Sequence, residues 1–237
     1  MSICFKAASH VGLRRKKNED RYLAKVQADG SLLLAVADGM GGSAGGEKAA
    51  TEAIATYSHR SDKEIITPQI LNTTLLAAHD AIVEYGKLHK ILKGMGTTLT
   101  AALVRDAMVY WAHIGDSRLY MLKSGKLAQL TTDHRFLESL TKDGFITLEQ
   151  ANRHPFKNVL DQCLGCPEID PEIGNAKIKR GDVLMLCTDG LHDDISSTDI
   201  ERILKMELSL ENKVGKLMSA ALEAGGKDNI TIVLAEN

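Results

Sequence analysis

Residues 32–37, Leu-Leu-Leu-Ala-Val-Ala, stand between two Asp-Gly pairs, Asp29-Gly30 before them and Asp38-Gly39 after. Asp-Gly between two apolar runs is a strong hairpin signal. The spacing predicts a strand over Arg21–Gln27, a turn at Ala28-Asp29-Gly30-Ser31, and a returning strand over Ser31–Ala37. The returning strand ends at Asp38, and a glycine-dense stretch to Gly46 leads into a helix. A carboxylate at the end of a buried strand is costly unless something neutralises it, and a metal ion can do so. The hairpin would bring Glu19 and Asp20, where its first strand starts, beside Asp38, where its second ends.

The remaining chain alternates between the two periodicities. Cys4–Ser9 can form an edge strand. Helical spacing runs over Glu47–His59, and over Pro68–Tyr85 with Leu71, Leu75, Ala78, Ile82 and Tyr85 on one face. Thr97–Arg105, Met108–Ile114, Arg118–Leu122 and Lys126–Leu130 are short runs joined by tight turns. They read as an antiparallel meander and exclude an all-parallel sheet, whose strands need crossovers. Residues 133–170 are less regular, with a short helix at Phe136–Lys142 and a capping box at Thr147-Leu148-Glu149-Gln150. Asp182–Thr188 repeats the opening device, an apolar strand ending in Asp189-Gly190. A helix capped by Thr198 with Glu201, a second over Glu211–Ala224 ended by Gly225-Gly226, and a last strand over Ile230–Ala235 complete the pattern. No linker or repeat interrupts it, so one domain over 1–237 is expected.

Composition removes several function classes. A net charge of −2 and an aromatic content of 4% give no case for nucleic acid or an anionic membrane. No run approaches the ~18 apolar residues of a membrane span, and no signal peptide is evident, so a cytoplasmic protein is expected. Cys163-x-x-Cys166 lacks the second Cys or His pair of a structural zinc site and reads as ordinary thiols.

Asp38, Asp116, Asp189 and Asp228 all fall at strand ends or in tight turns. Each alone reads as a turn residue. Together with Glu19-Asp20 they form a carboxylate set without His or Cys, which suits Mg²⁺ or Mn²⁺. Two such ions ~3.5–4 Å apart can activate a water and clamp an in-line displacement at phosphorus. The run Arg14-Arg15-Lys16-Lys17 just before Glu19 reads either as a solvated loop or as an anion contact beside these carboxylates.

The ordered motifs Arg15-x-x-x-Glu19-Asp20, Asp38-Gly39-Met40-Gly41-Gly42, Gly115-Asp116-Ser117-Arg118, Asp189-Gly190 and Asp228-Asn229 resemble those of the metal-dependent protein phosphatases, the type 2C serine/threonine enzymes in their compact bacterial form. The resemblance covers nearly the whole chain. It implies an α+β fold, a four-layer αββα sandwich of two antiparallel sheets flanked by helix pairs, with a flap at about 133–171. It implies two Mn²⁺ or Mg²⁺ ions bridged by Asp38, with the Gly39 carbonyl as a further ligand and Asp189 and Asp228 on the first ion. Glu19 and Asp20 would act largely through bound waters, and Asp116 with Asp189 would take a weaker third ion. Arg15 would hold the substrate phosphate and Asn229 would orient its neighbour. The substrates implied are proteins phosphorylated on serine or threonine by a cognate kinase, and the modest charge favours a monomer.

One position departs from the pattern. Ser43 stands where related sequences carry a histidine proposed as general acid. Another donor, such as His154, would then be needed. The departure leaves an alternative, a phosphatase-like module that binds phosphoprotein with little turnover. A third reading is hydrolysis of a small phosphorylated metabolite.

Overall fold

In the computed structural model, residues 3–40, 45–92, 94–142, 144–156 and 158–236 are described. In chain order the elements are β1 (Cys4–His10), β2 (Arg21–Val26), β3 (Leu32–Ala37), β4 (Gly39–Met40), α1 (Gly45–Lys63), α2 (Pro68–Leu88), β5 (Gly96–Thr97), β6 (Leu99–Arg105), β7 (Met108–Ile114), β8 (Arg118–Lys123), β9 (Lys126–Gln129), α3 (Phe136–Lys142), α4 (Leu148–Arg153), β10 (Glu172–Lys177), β11 (Val183–Cys187), α5 (Asp189–His192), α6 (Ser197–Leu204), α7 (Leu210–Glu223) and β12 (Ile230–Glu236). One five-stranded sheet has the order β1-β12-β11-β8-β9, and the other β10-β7-β6-β3-β2. All their pairings are antiparallel. A two-stranded ribbon, β4-β5, stands apart.

Strand parity sorts the core into three layers, because alternate side chains leave a sheet on opposite faces. Leu33, Ala35 and Ala37 of β3 pack with Leu99, Ala101 and Leu103 of β6 against Ala50, Ala53, Leu71, Leu75 and Ala78 of α1 and α2. Leu32, Leu34 and Val36 point the other way, toward Leu184, Leu186 and Val233 of the second sheet. Met185, Ile232 and Leu234 cover the far face of that sheet beneath Ile200, Val214 and Leu217 of α6 and α7. The order is therefore helices, sheet, sheet, helices, as the resemblance implied. The alanines of α1 let the helix approach its sheet closely, and Tyr57 closes the layer by donating from its hydroxyl to the Leu71 carbonyl at 2.6 Å.

Several local expectations change. Thr97–Arg105 is not one strand: Thr98 breaks it by donating its N–H to the Asp38 carbonyl at 2.9 Å, which separates β5 from β6. The cap of α6 is Ser196, whose hydroxyl accepts from Asp199 N at 3.1 Å, in place of Thr198. β10 is an edge strand that sequence patterning does not reveal, since Glu-Ile-Gly-Asn-Ala-Lys carries no apolar run. It forms because the Trp111 indole lies over Gly174, where a Cβ would come within 2.1 Å of the ring, and donates to Glu172 at 3.0 Å. Cys163 and Cys166, expected as thiols, are joined in a disulfide with Cα atoms 5.5 Å apart. Among the described residues no helix is long and apolar enough to cross a membrane.

Candidate active site

Asp38 leaves β3 held on three sides by the strand break. Its N–H donates to Thr98 Oγ1 at 3.0 Å, and its carbonyl accepts from Thr98 N at 2.9 Å and Thr97 Oγ1 at 2.8 Å. The side chain is thereby aimed into a cleft of about 590 Å³. Gly39 follows because nothing larger fits: a Cβ there would lie 2.2 Å from the Gly46 carbonyl oxygen at the start of α1.

The second sheet supplies the facing carboxylates. Asp189 opens α5 directly after β11, with Thr188 as its cap. Gly190 beside it abuts the Asn229 carbonyl, 2.1 Å from where a Cβ would be. Asp228 lies two residues before β12 and Asp116 sits in the turn between β7 and β8. Asp38, Asp116, Asp189, Asp228 and Glu19 all line the cleft, together with Arg15, Lys16, Lys17 and Asn229. Asp20 lies behind it, buried, with Oδ2 accepting from Thr188 Oγ1 at 2.9 Å and Thr231 Oγ1 at 2.7 Å.

Asn229 fastens the basic loop to this floor. Its side-chain oxygen accepts from Glu19 N at 2.8 Å, and its amide donates to the carbonyls of Val11 and Lys17 at 2.9 Å each. Arg15 Nη2 then reaches Asp228 Oδ2 at 2.5 Å while remaining about half exposed. That contact raises the guanidinium above its ordinary value, against the opposing effect of burial.

The electrostatics are those of too much negative charge in too little water. Burial, and then the charge of Asp20 and Asp189, hold the Asp38 carboxyl well above the usual carboxylate range. Burial, then Asp116 and Asp228, do the same to Asp189. Asp20 is pushed up to about 7, chiefly by burial, despite its two hydroxyl donors. Two buried carboxylate oxygens, Asp20 Oδ1 and Asp189 Oδ1, have no hydrogen-bond partner. Such atoms call for a cation. Among the described residues no three His, Cys, Asp or Glu side chains close into a cage on their own. All-oxygen donors of this kind fit hard divalent ions.

The structure thus brings Arg15, Glu19, Asp38, Gly39, Asp116, Asp189, Asp228 and Asn229 to one cleft. It does not bring His154 there. That ring is exposed at the end of α4, accepting from Phe156 N at 3.2 Å. Ser43 lies outside the described residues. Of the two readings of the basic run, the structure favours the contact beside the carboxylates, for Lys16 and Lys17 line the cleft. Sequence reasoning missed Leu160, which lines it with Asn158, and the pairing of Arg135 with Asp116 and Asp193. Nothing local in the sequence marks Arg135; its partners are 19 and 58 residues away.

Comparison with known proteins agrees with the fold. Residues 9–225 match the family described as protein phosphatase 2C. The chain is 38% identical over 234 residues to the serine/threonine protein phosphatase PstP of Mycobacterium tuberculosis, covering 98% of this chain and 44% of that protein. The chain thus spans about half the length of that relative. Protein phosphatase PhpP of Streptococcus pneumoniae is 36% identical over 231 residues, covering 94% of this chain and 93% of that protein. The crystal structure of the PstP catalytic domain in complex with two manganese ions superposes with a TM-score of 0.88 at 36% identity, covering 99% of this chain and 97% of that one. With its sandwich, its carboxylate cleft and a match over nearly its full length, the chain belongs to the protein phosphatase 2C family.

Proposed function

We propose that the chain is a metal-dependent serine/threonine protein phosphatase, a single catalytic domain with residues of about 133–171 as a flap beside the cleft. The observation that carries this reading is the convergence of Asp38 from one sheet and Asp189 and Asp228 from the other on a cleft rimmed by Arg15, Lys16 and Lys17. Asp38 would be shared by two Mn²⁺ or Mg²⁺ ions, with the Gly39 carbonyl, Asp189 and Asp228 as further ligands. Glu19 and Asp20 would act through waters. When bound, such ions supply Lewis-acid polarisation of the phosphoryl group and an acidified attacking water.

The chain's own residues do the rest. Arg15 offers a planar fork to phosphate oxygens, a geometry lysine cannot match. Its tie to Asp228 orients the guanidinium before substrate arrives. Lys16 and Lys17 add positive potential at the rim, which favours a phosphate dianion over the neutral product alcohol. Asn229 holds this loop against the floor, so phosphate contacts and carboxylates keep one relative position. The substrates proposed are phosphoserine and phosphothreonine segments of proteins modified by a cognate kinase, met by a cytoplasmic monomer.

The test is hydrolysis of a phosphothreonine peptide and of an aryl phosphate, with Mn²⁺ and with chelator. Turnover that requires metal is expected on both, and Asp38→Asn should lose it by orders of magnitude. Absence of metal-dependent turnover on either substrate refutes the proposal. Normal turnover by Asp38→Asn refutes the assignment of the site.

A further inference from the structure

The family resemblance gives Asp116 a share in a weaker third ion. The pair implied there is Asp116 with Asp189; the structure puts a cationic side chain of this protein on Asp116 itself. Arg135 Nε donates to Asp116 Oδ2 at 2.9 Å, and Arg135 Nη2 donates to Asp193 Oδ1 at 3.0 Å. Asp193 caps the C-terminal end of α5, one turn after Asp189, and donates its N–H to the Asp189 carbonyl at 2.9 Å. One guanidinium therefore bridges Asp116, which lines the cleft, to the more exposed Asp193. Its side chain is 11% exposed and that of Asp116 is 6% exposed.

The competing claims on this guanidinium are already met. Asp133, 3.9 Å from Arg135 Nε, is gripped by Arg118 through Nε–Oδ1 at 2.8 Å and Nη2–Oδ2 at 2.6 Å. The His192 ring lies alongside, with Nε2 donating to the Asp116 carbonyl at 3.0 Å and Nδ1 3.3 Å from Asp193 Oδ1. Among the described residues, the buried carboxylate oxygens lacking a hydrogen-bond partner are at Asp20 and Asp189, not at Asp116 or Asp193. The unmet demand falls on Asp20 and Asp189, which the main two-ion site would satisfy; the Asp116 carboxylate already has its cation. A divalent ion joining Asp116 to Asp189 would have to share Asp116 with this guanidinium or displace it, and two cations on one carboxylate repel each other.

We infer that Arg135 is the resident cation of Asp116, anchored at its other end by Asp193, so that this chain takes two ions at its main carboxylate site and no third ion shared by Asp116 and Asp189. The inference rests on the metal-dependent reading above. It has a second consequence, because a diffusible ion is replaced by one tethered to the backbone. Arg135 pairs with Leu160 in an isolated bridge, flanked by Phe136 N to Val159 O at 2.9 Å and Asp161 N to His134 O at 3.1 Å. Asn158 and Leu160 line the cleft. Arg135 is thus a positioning residue that ties this part of the flap segment to the carboxylates.

The test counts Mn²⁺ per chain by equilibrium dialysis and by paramagnetic resonance of the free ion, with melting temperature recorded for each variant. The wild type is expected to bind two ions, with no weaker phase that Asp116→Asn removes. Arg135→Gln should gain one further ion, Arg135→Gln combined with Asp116→Asn should lose it again, and Arg135→Lys should stay at two. A third ion in the wild type that disappears in Asp116→Asn overturns the inference, as does a folded Arg135→Gln protein that gains none. The wild-type count decides the matter even if Arg135→Gln does not fold. A wild type that binds no Mn²⁺ overturns the metal-dependent reading itself, a failure distinct from the appearance of a third ion.

Discussion

Asn229 offers the sharpest quantitative test of how the basic loop is held. Replacing it with alanine removes three hydrogen bonds at once, those to Glu19 N, Val11 O and Lys17 O. The side chain is 5% exposed, so its own solvation contributes little. A typical bond of this kind contributes about 0.5–1.5 kcal/mol net, more where a buried partner is stranded. The three loop groups lie nearer the surface and can recruit water, which places the total at roughly 2–4 kcal/mol. For a chain of this size each kcal/mol moves the melting temperature by about 2–4 °C, giving a fall of roughly 5–15 °C. Thermal unfolding followed by circular dichroism, with chelator present so that metal binding does not contribute, reads this directly. Asn229→Asp should fall at least as far, because it keeps an acceptor for Glu19 N but turns a second carboxylate oxygen toward two carbonyls. In the metal-loaded enzyme Asn229→Ala should also raise KM for a phosphopeptide more than it lowers kcat, since Arg15 is released. A stability loss under about 1 kcal/mol would refute the reasoning, for it would mean that the loop is held by something else.

Three further outcomes are expected. Gly39→Ala places a methyl against the backbone of Gly46, which cannot yield, and should cost at least about 2–3 kcal/mol in urea unfolding; an unchanged midpoint would contradict the close approach. His113 is fully buried, its Nδ1 2.8 Å from Thr100 Oγ1 and its Nε2 bonded to the Thr132 carbonyl at 3.0 Å, and burial, then His134, push it down to about 4. Its folded value lies below the unfolded one of about 6.5, so its contribution is full above that pH and is lost as pH falls toward about 4. Stability should therefore fall by about 2 kcal/mol more between pH 7 and pH 5 in the wild type than in His113→Gln, and equal slopes would remove His113 from the account. With serine at position 43, rates should depend strongly on leaving-group acidity, aryl phosphates outpacing alkyl ones. A flat dependence across leaving groups would indicate an efficient proton donor elsewhere.

The parts of the fold that sequence reveals are those whose cause is local. The Asp29-Gly30 turn closes with Gly30 at φ 82° and sets the register of β2 against β3, which alone fixes where Asp38 emerges. The alanine-rich face of α1 and the capping box of Thr147 with Gln150 are equally plain in the sequence. β10 was invisible because it is an edge strand formed by the fit of Trp111 onto Gly174, a contact between distant segments. The same holds at the site. Carboxylates at strand ends can be read one at a time, and the ordered motifs supply their grouping. Arg135 could not be read, because its significance lies in Asp116 and Asp193, which the fold brings to it from separate turns. The Cys163–Cys166 bridge was missed because spacing alone does not distinguish two thiols from a disulfide.

The cleft lies across the seam between the two sheets. Asp38 and Asp20 adjoin strands of one, Asp189 and Asp228 adjoin strands of the other, and the hydroxyls of Thr188 and Thr231 reach across to Asp20. The separation of the carboxylates is therefore the separation of the sheets, and that is set by the side chains between them, Leu34, Val36, Leu184, Leu186 and Val233 among them. Those residues act as a spacer. A methylene added or removed there, touching nothing at the site, would change the gauge to which the carboxylates are set. Ion preference in this chain could thus be tuned through hydrophobic volume, with every ligand left in place.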